Sequence, residues 1–171
     1  MDLKAQIREI PDFPKPRILF YDISTLLRQP DAFEVAVDRM AELVQAHRPD
    51  CVVGIESRGF VFAAPIALRL QVGLAMVRKQ GKLPGSVVGH AYHLEYGTDN
   101  IEVSADLIAP GSRLVIIDDL IATGGTAAAT VELVRKIGAE AVGAVFLIEL
   151  LGLEGRAKMT VPMASLLTYE G

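Results

Sequence analysis

Four short runs along this chain are apolar on both faces, and stretches of helical character or irregular sequence separate them. They are Cys51-Val52-Val53-Gly54-Ile55, Leu74-Ala75-Met76-Val77-Arg78, Arg113-Leu114-Val115-Ile116-Ile117-Asp118-Asp119 and Ala141-Val142-Gly143-Ala144-Val145-Phe146-Leu147-Ile148. A strand with one wet face alternates apolar and polar residues, whereas a strand covered on both sides does not. The pattern therefore predicts an α/β fold, a parallel sheet flanked by helices. A helical segment is expected from about Phe60 to Leu70, and another from about Thr126 to Ile137 with Gly138 as its stop. Ahead of the first run, Phe33, Val37, Met40 and Val44 recur at helical spacing until Pro49. That helix is expected to open on a capping box, with Asp31 as cap and Glu34 three residues on.

Two stretches break the alternation. Pro11, Pro14 and Pro16 forbid a regular helix, and Ile18-Leu19-Phe20-Tyr21-Asp22-Ile23 reads as a short extended piece. Between Lys79 and Ile108 lies a long Gly- and Lys-bearing stretch, with Tyr92, Leu94 and Tyr96 suggesting a hairpin. A long irregular loop inside a compact α/β domain is the usual form of a functional lid. At 171 residues, the chain is expected to be one domain, residues 1–171.

Composition excludes several classes. Seventeen Lys and Arg against 21 Asp and Glu give a net charge of −4, and 51% of residues are hydrophobic. A disordered chain is excluded, and a general nucleic-acid or anionic-membrane binder is disfavoured. The opening residues hold no signal-peptide hydrophobic region, and the apolar stretches at 142–151 and 114–117 are too short to span a bilayer. Cys51 is the one cysteine, so neither an internal disulfide nor a multi-cysteine zinc site can form. This suits a cytoplasmic protein, with Cys51 as an inert core residue. His90 and His93 lack a third ligand at metal spacing and are read as structural or surface residues.

The most informative segment is Val115-Ile116-Ile117-Asp118-Asp119-Leu120-Ile121-Ala122-Thr123-Gly124-Gly125-Thr126. A buried strand delivers two adjacent carboxylates to its C-terminal edge, where α/β proteins place ligands. Thr123-Gly124-Gly125-Thr126 then opens a helix, so N–H groups converge with two hydroxyls into a phosphate cradle. A phosphate beside two carboxylates is repelled unless the ligand also offers hydroxyls for them to accept from. A sugar phosphate satisfies both halves. The chain contains neither G-x-x-x-x-G-K-[ST] nor G-x-G-x-x-G.

Residues 115–126 resemble the signature of the type I phosphoribosyltransferases, which bind 5-phospho-α-D-ribose 1-diphosphate. Glu56-Ser57-Arg58-Gly59-Phe60, Arg78-Lys79-Gln80-Gly81-Lys82-Leu83-Pro84-Gly85, Leu94-Glu95-Tyr96-Gly97, Phe20-Tyr21-Asp22-Ile23-Ser24 and Ser165-Leu166-Leu167-Thr168-Tyr169-Glu170 resemble the branch of that family that acts on adenine. The resemblance runs in order over nearly the whole chain. It departs at Tyr21, where the family usually carries a basic residue.

The resemblance implies the type I phosphoribosyltransferase fold, with residues 1–30 forming an N-terminal hood and residues 79–108 a flexible lid loop. It implies phosphoribosyl transfer to adenine, giving AMP and diphosphate, with Mg²⁺ held mainly by the substrate and no direct protein ligand. Asp118 and Asp119 are expected on the ribose hydroxyls, and Ala122, Thr123, Gly124, Gly125 and Thr126 on the 5-phosphate. Arg58, Arg78, Lys79, Lys82 and Tyr96 are expected on the phosphoribosyl diphosphate. Glu95 is the candidate acid/base, and Leu19, Phe20, Tyr21 and Leu120 are candidates around the base. A homodimer is implied, with Arg78 reaching the neighbour's site, and so is a non-proline cis peptide at Ser57–Arg58. Two alternatives remain at this point: a transferase for hypoxanthine, guanine or xanthine, and a non-enzymatic sensor of the phosphoribosyl donor. The Pro-rich segment before Phe33 is too short for a helix-turn-helix, which disfavours the sensor.

Overall fold

A computed structural model of the chain describes residues 1–93, 97–104 and 106–170. An antiparallel ribbon of β1 (Arg8–Pro11) and β2 (Leu19–Asp22) leads into α1 (Ser24–Arg28) and α2 (Pro30–Gln45). Then follow β3 (Cys51–Ile55), α3 (Gly59–Leu70), β4 (Gly73–Lys79), β5 (Val87–His93) and β6 (Thr98–Ser104). The chain continues through β7 (Arg113–Ile121), α4 (Gly125–Lys136), β8 (Glu140–Leu150), a 3₁₀ turn at Gly155–Lys158 and β9 (Met163–Tyr169).

The main sheet has the order β5-β6-β4-β3-β7-β8-β9. From β4 through β3, β7 and β8 to β9 all pairings are parallel, whereas β6 joins β4 and β5 antiparallel. The central strands bury both faces, as their apolar runs require. Val52, Val115, Ile117, Val145 and Leu147 turn to a cluster with Met40 and Val44 of α2 and Phe62 and Ile66 of α3. Val53, Ile55, Leu114, Ile116 and Phe146 turn the other way, onto Ala127, Val131 and Val134 of α4. Each large aliphatic buried this way contributes about 1.5–3 kcal/mol. Truncating Ile116, which is fully buried, would remove about 2–5 kcal/mol because the packed layers cannot collapse into the gap.

Two expectations are corrected and one is extended. The box at Asp31 does not form: Pro30 is the first helical residue, Gln29 is the cap and no side chain caps it. Proline's preset φ and missing N–H favour that first position, and Asp31 falls in the first turn, where its charge suits the helix dipole. Within residues 79–108 the expected hairpin forms and is longer than the sequence suggested. Two strands of seven residues pair from Val87↔Ser104 to His93↔Thr98, and β6 extends the sheet through Arg78↔Glu102 and Lys79↔Ile101. The non-proline cis bond lies at Glu56–Ser57, one bond before the expected position. Among the described residues, no helix is long and apolar enough to cross a membrane.

Candidate active site

The chain leaves β3 towards α3 and β4 on one side, while β7 returns on the other. Ligands of open α/β sheets bind in the crevice that such a reversal opens beyond the strand ends. Here β3 pairs with β7 only as far as Gly54↔Ile117, whereas β7 stays paired with β8 as far as Ile121↔Glu149. Asp118 and Asp119 therefore lie inside β7 rather than at its end, on the stretch that β3 has left uncovered. A cavity of about 780 Å³ opens there. It is walled by Glu56, Ser57 and Arg58 after β3, Arg78 and Lys79 of β4, and Asp118, Asp119 and Leu120 of β7. The loop 122–126 and, from the hairpin, Tyr92, His93 and Asp99 complete the wall with Lys158.

The two carboxylates differ. Asp119 is buried, and its Oδ2 lies 2.9 Å from Arg58 Nε. Burial, and then the neighbouring Asp119 charge, push the Asp118 carboxyl well above the usual carboxylate range. Arg58 also lies 5.6 Å from the centre of the Phe20 ring. It thus separates the large cavity from a second one of about 470 Å³ under the hood, lined by Phe20, Phe13, Ile10 and Leu27.

The loop 122–126 is fixed by an element that the sequence did not announce. Gly124 caps α4 with φ +76°, and a Cβ there would run into the Gly155 carbonyl. Gly155 in turn lies against the Ala122 carbonyl, where a Cβ has no room. The Gly155–Lys158 turn is anchored by Arg156, which donates to Glu149 from Nε at 2.8 Å and from Nη2 at 2.5 Å. Ser165 Oγ donates to the same carboxylate at 2.6 Å, and Arg156, the larger cause, with Ser165 holds Glu149 below its ordinary pKa. This turn brings Lys158 to the cavity. Gly125 differs from Gly124. Its φ is not in the left-handed region, and the nearest atom to an added Cβ is the His93 carbonyl oxygen at 3.9 Å. Neither backbone nor packing demands glycine there.

The expected cations are not all delivered. Arg78 donates to Glu56 from Nε at 3.3 Å and Nη2 at 3.2 Å and lines its own chain's cavity. The Lys79 backbone N–H donates to Glu56 at 2.9 Å, the largest cause of that carboxyl's lowered pKa. Lys79 Nζ lies 3.1 Å from Asp99 Oδ2. Lys82 does not line the cavity; its carbonyl accepts from Arg78 Nη1. Of the base-site candidates, Leu120 lines the large cavity and Phe20 the hood cavity, while Leu19 lines neither. Tyr21 lines neither cavity: its ring is turned inward, 6% exposed, against Tyr169 at 4.1 Å between ring centres. Glu95 and Tyr96 lie outside the described residues. Sequence reasoning missed four wall residues, Tyr92, Asp99, Lys158 and Glu56 as the partner of Arg78, and His93, exposed as expected of a structural or surface residue, also reaches the wall.

The site joins a strand-delivered acid pair to a glycine-bent helix start, and the model of the phosphoribosyl transferase domain matches residues 22–162. The chain belongs to that family. Over 170 residues it is 58% identical to the adenine phosphoribosyltransferase of Acidiphilium cryptum, covering 99% of both chains. It is 59% identical to that of Gluconobacter oxydans, covering 99% of this chain and 95% of the relative. Among solved structures it resembles the Saccharomyces cerevisiae adenine phosphoribosyltransferase complexed with an imino-altritol bisphosphate and adenine. That match has a TM-score of 0.91 at 41% identity and covers 96% of each chain.

Proposed function

We propose that the chain transfers the 5-phosphoribosyl group of 5-phospho-α-D-ribose 1-diphosphate to adenine, giving AMP and diphosphate. The observation that carries this reading is that one cavity joins an anion cradle at the start of α4 to two carboxylates on β7. Breaking the C1–O bond leaves positive charge on the ribose ring, so the protein's tasks are positioning and electrostatics. Asp118 and Asp119 accept from the 2- and 3-hydroxyls beneath that charge. Residues 122–126 donate N–H and hydroxyl groups to the 5-phosphate, with Lys158 adding a cation. When the ribose hydroxyls take over Asp119, Arg58 is released to join Arg78 and Lys79 on the diphosphate, and Lys82 has the smallest part. Phe20 and Leu120 flank the purine from the two cavities that meet at Arg58. Glu95 exchanges the proton of the adenine imidazole nitrogens, with Tyr96 beside it on the diphosphate.

Magnesium takes one or two carboxylates at most and completes its shell with water and substrate oxygens. Among the described residues no cluster of three or more His, Cys, Asp or Glu is placed to hold a metal. The donor set fits an ion carried in by the diphosphate and the ribose hydroxyls. When bound, Mg²⁺ offsets the charge of the diphosphate. The proposal includes a single-domain chain with hood and lid, a homodimer and a cytoplasmic location, which the net charge of −4 and the half-buried Cys51 suit. It includes no nucleic-acid or membrane partner.

The test is a steady-state assay supplying the donor, Mg²⁺ and each base in turn. Adenine offers an amino donor at its 6-position, where hypoxanthine and guanine offer a carbonyl acceptor. Each mismatched buried polar group costs about 1–3 kcal/mol, so two mismatches give about a hundredfold or more in kcat/KM. Use of hypoxanthine or guanine within tenfold of adenine overturns the base assignment, and no turnover with any base overturns the transferase reading.

A further inference from the structure

Asp99 is one of four carboxylates lining the cavity, with Glu56, Asp118 and Asp119, and the reaction above gives it no task. Its position follows from strand register. Asp99 of β6 is paired with Tyr92 of β5, and Ile101, two residues on, is paired with Lys79 of β4. The two-residue period of a strand puts Lys79, Ile101, Asp99 and Tyr92 on one face, and all four line the cavity. Asp99 Oδ1 accepts from the Asn100 N–H at 2.9 Å, which fixes the carboxylate. Its Oδ2 holds Lys79 Nζ at 3.1 Å, and the Tyr92 hydroxyl stands 3.5 Å from the same oxygen. Tyr92 in turn hydrogen-bonds Thr126 Oγ1, in the first turn of α4, at 3.1 Å. The backbone of Lys79 is tied to Glu56, and among the described residues Asp99 is the carboxylate within ion-pair distance of its ammonium.

This pair is made to exchange. The Lys79 side chain is 63% exposed and that of Asp99 23%, and exposed pairs of this kind are weak. A diphosphate in the cavity carries several charges and outbids one carboxylate. We propose that Asp99 is a positioning residue for Lys79: it holds the ammonium at the cavity wall and competes with diphosphate for it, so the leaving group departs more readily. The inference rests on the reading that Lys79 meets the diphosphate.

The experiment is calorimetric titration of magnesium diphosphate into four forms of the whole chain: wild type, Asp99→Asn, Lys79→Met and the double variant. Asparagine keeps the shape and the acceptor oxygen while removing the charge. Asp99→Asn is expected to bind diphosphate roughly two- to fivefold more tightly, the weight of one exposed pair. In the Lys79→Met background the same change is expected to do nothing. Unchanged or weaker binding by Asp99→Asn overturns the inference while the site reading stands. A gain that persists without Lys79 also overturns it, because Asp99 then acts by plain repulsion. Wild type that binds no diphosphate overturns the reading of the site, and the inference with it.

Discussion

Gly125 offers the sharpest separation of folding from binding. An added Cβ comes no closer than 3.9 Å to any atom beyond its chain neighbours and its own helix backbone, and φ is outside the left-handed region. Gly125→Val should therefore fold. Removing glycine from a helix position gains about 0.5–1 kcal/mol relative to alanine, and the poorer helix propensity of valine returns most of that, so stability should move by less than about 1 kcal/mol. The side chain instead occupies the cavity at the start of α4, where a phosphate would take N–H groups. Hydrogen bonds to a charged group contribute about 1.5–3 kcal/mol each. Displacing the phosphate from one or two of them costs about 3 kcal/mol, which is about a hundredfold in Kd.

The assay pairs calorimetric AMP binding with thermal melts of the unliganded chain. Gly124→Ala is the contrasting variant. There φ is +76° and the Cβ meets the Gly155 carbonyl, so the melt should fall before any ligand is added. An AMP affinity within threefold of wild type in Gly125→Val would refute the cradle, whatever the melt shows.

Two further outcomes are expected. The Asp118 carboxyl titrates above its unfolded value of about 3.9, so the stability it permits is complete below that pH and is lost as pH rises through the folded pKa. Asp118→Asn should thus melt higher than wild type at pH 8, with the two converging near pH 3, while donor binding is lost; parallel pH profiles would refute the burial argument. Glu95→Gln should lower kcat by roughly ten- to a thousandfold and alter stability by less than about 0.5 kcal/mol; near-normal turnover would leave Glu95 without its proton-transfer role.

Legibility in the sequence tracked how local each cause was. β3, β7 and β8 announced themselves because both faces are apolar, and the α4 start because two glycines follow a buried strand within one short segment. β9 was missed as a strand because Ser165 and Thr168 interrupt its apolar run, and its place depends on pairing with β8, from Ala144↔Met163 onward. The hairpin of β5 and β6 was half seen, since β5 is exposed or half-buried throughout and lacks the clean alternation of a core strand. Asp31 misled because a valid capping pattern sat one residue inside a stronger start, Pro30. The burial of the Tyr21 ring against Tyr169 was not legible, because position in a motif does not reveal which face of a two-stranded ribbon is buried. Lys158, Asp99 and the partner of Arg58 come from strand register and from the Gly124–Gly155 contact, neither of which is readable in a local window.

The cavity also shows how a chain of net charge −4 keeps a site for a highly anionic substrate. Three of its cations are already engaged: Arg58 with Asp119, Arg78 with Glu56, and Lys79 with Asp99. Clustered without partners, these cations would repel one another and weaken the fold; paired, they sit in a nearly neutral wall. On the proposed reading, substrate binding is an exchange in which phosphates replace the carboxylates at the cations and ribose hydroxyls replace the guanidinium at Asp119, one pair at a time. The pairs are graded by exposure. Asp119 is the most buried of the three acids and Lys79 the most exposed of the three cations. Desolvated pairs resist screening and solvated pairs yield easily. The Lys79 pair should open first and the Arg58 pair last, once the ribose hydroxyls replace the guanidinium at Asp119. Because Arg58 lines both cavities and lies beneath Phe20, that last exchange is the one that would connect the large cavity to the hood cavity.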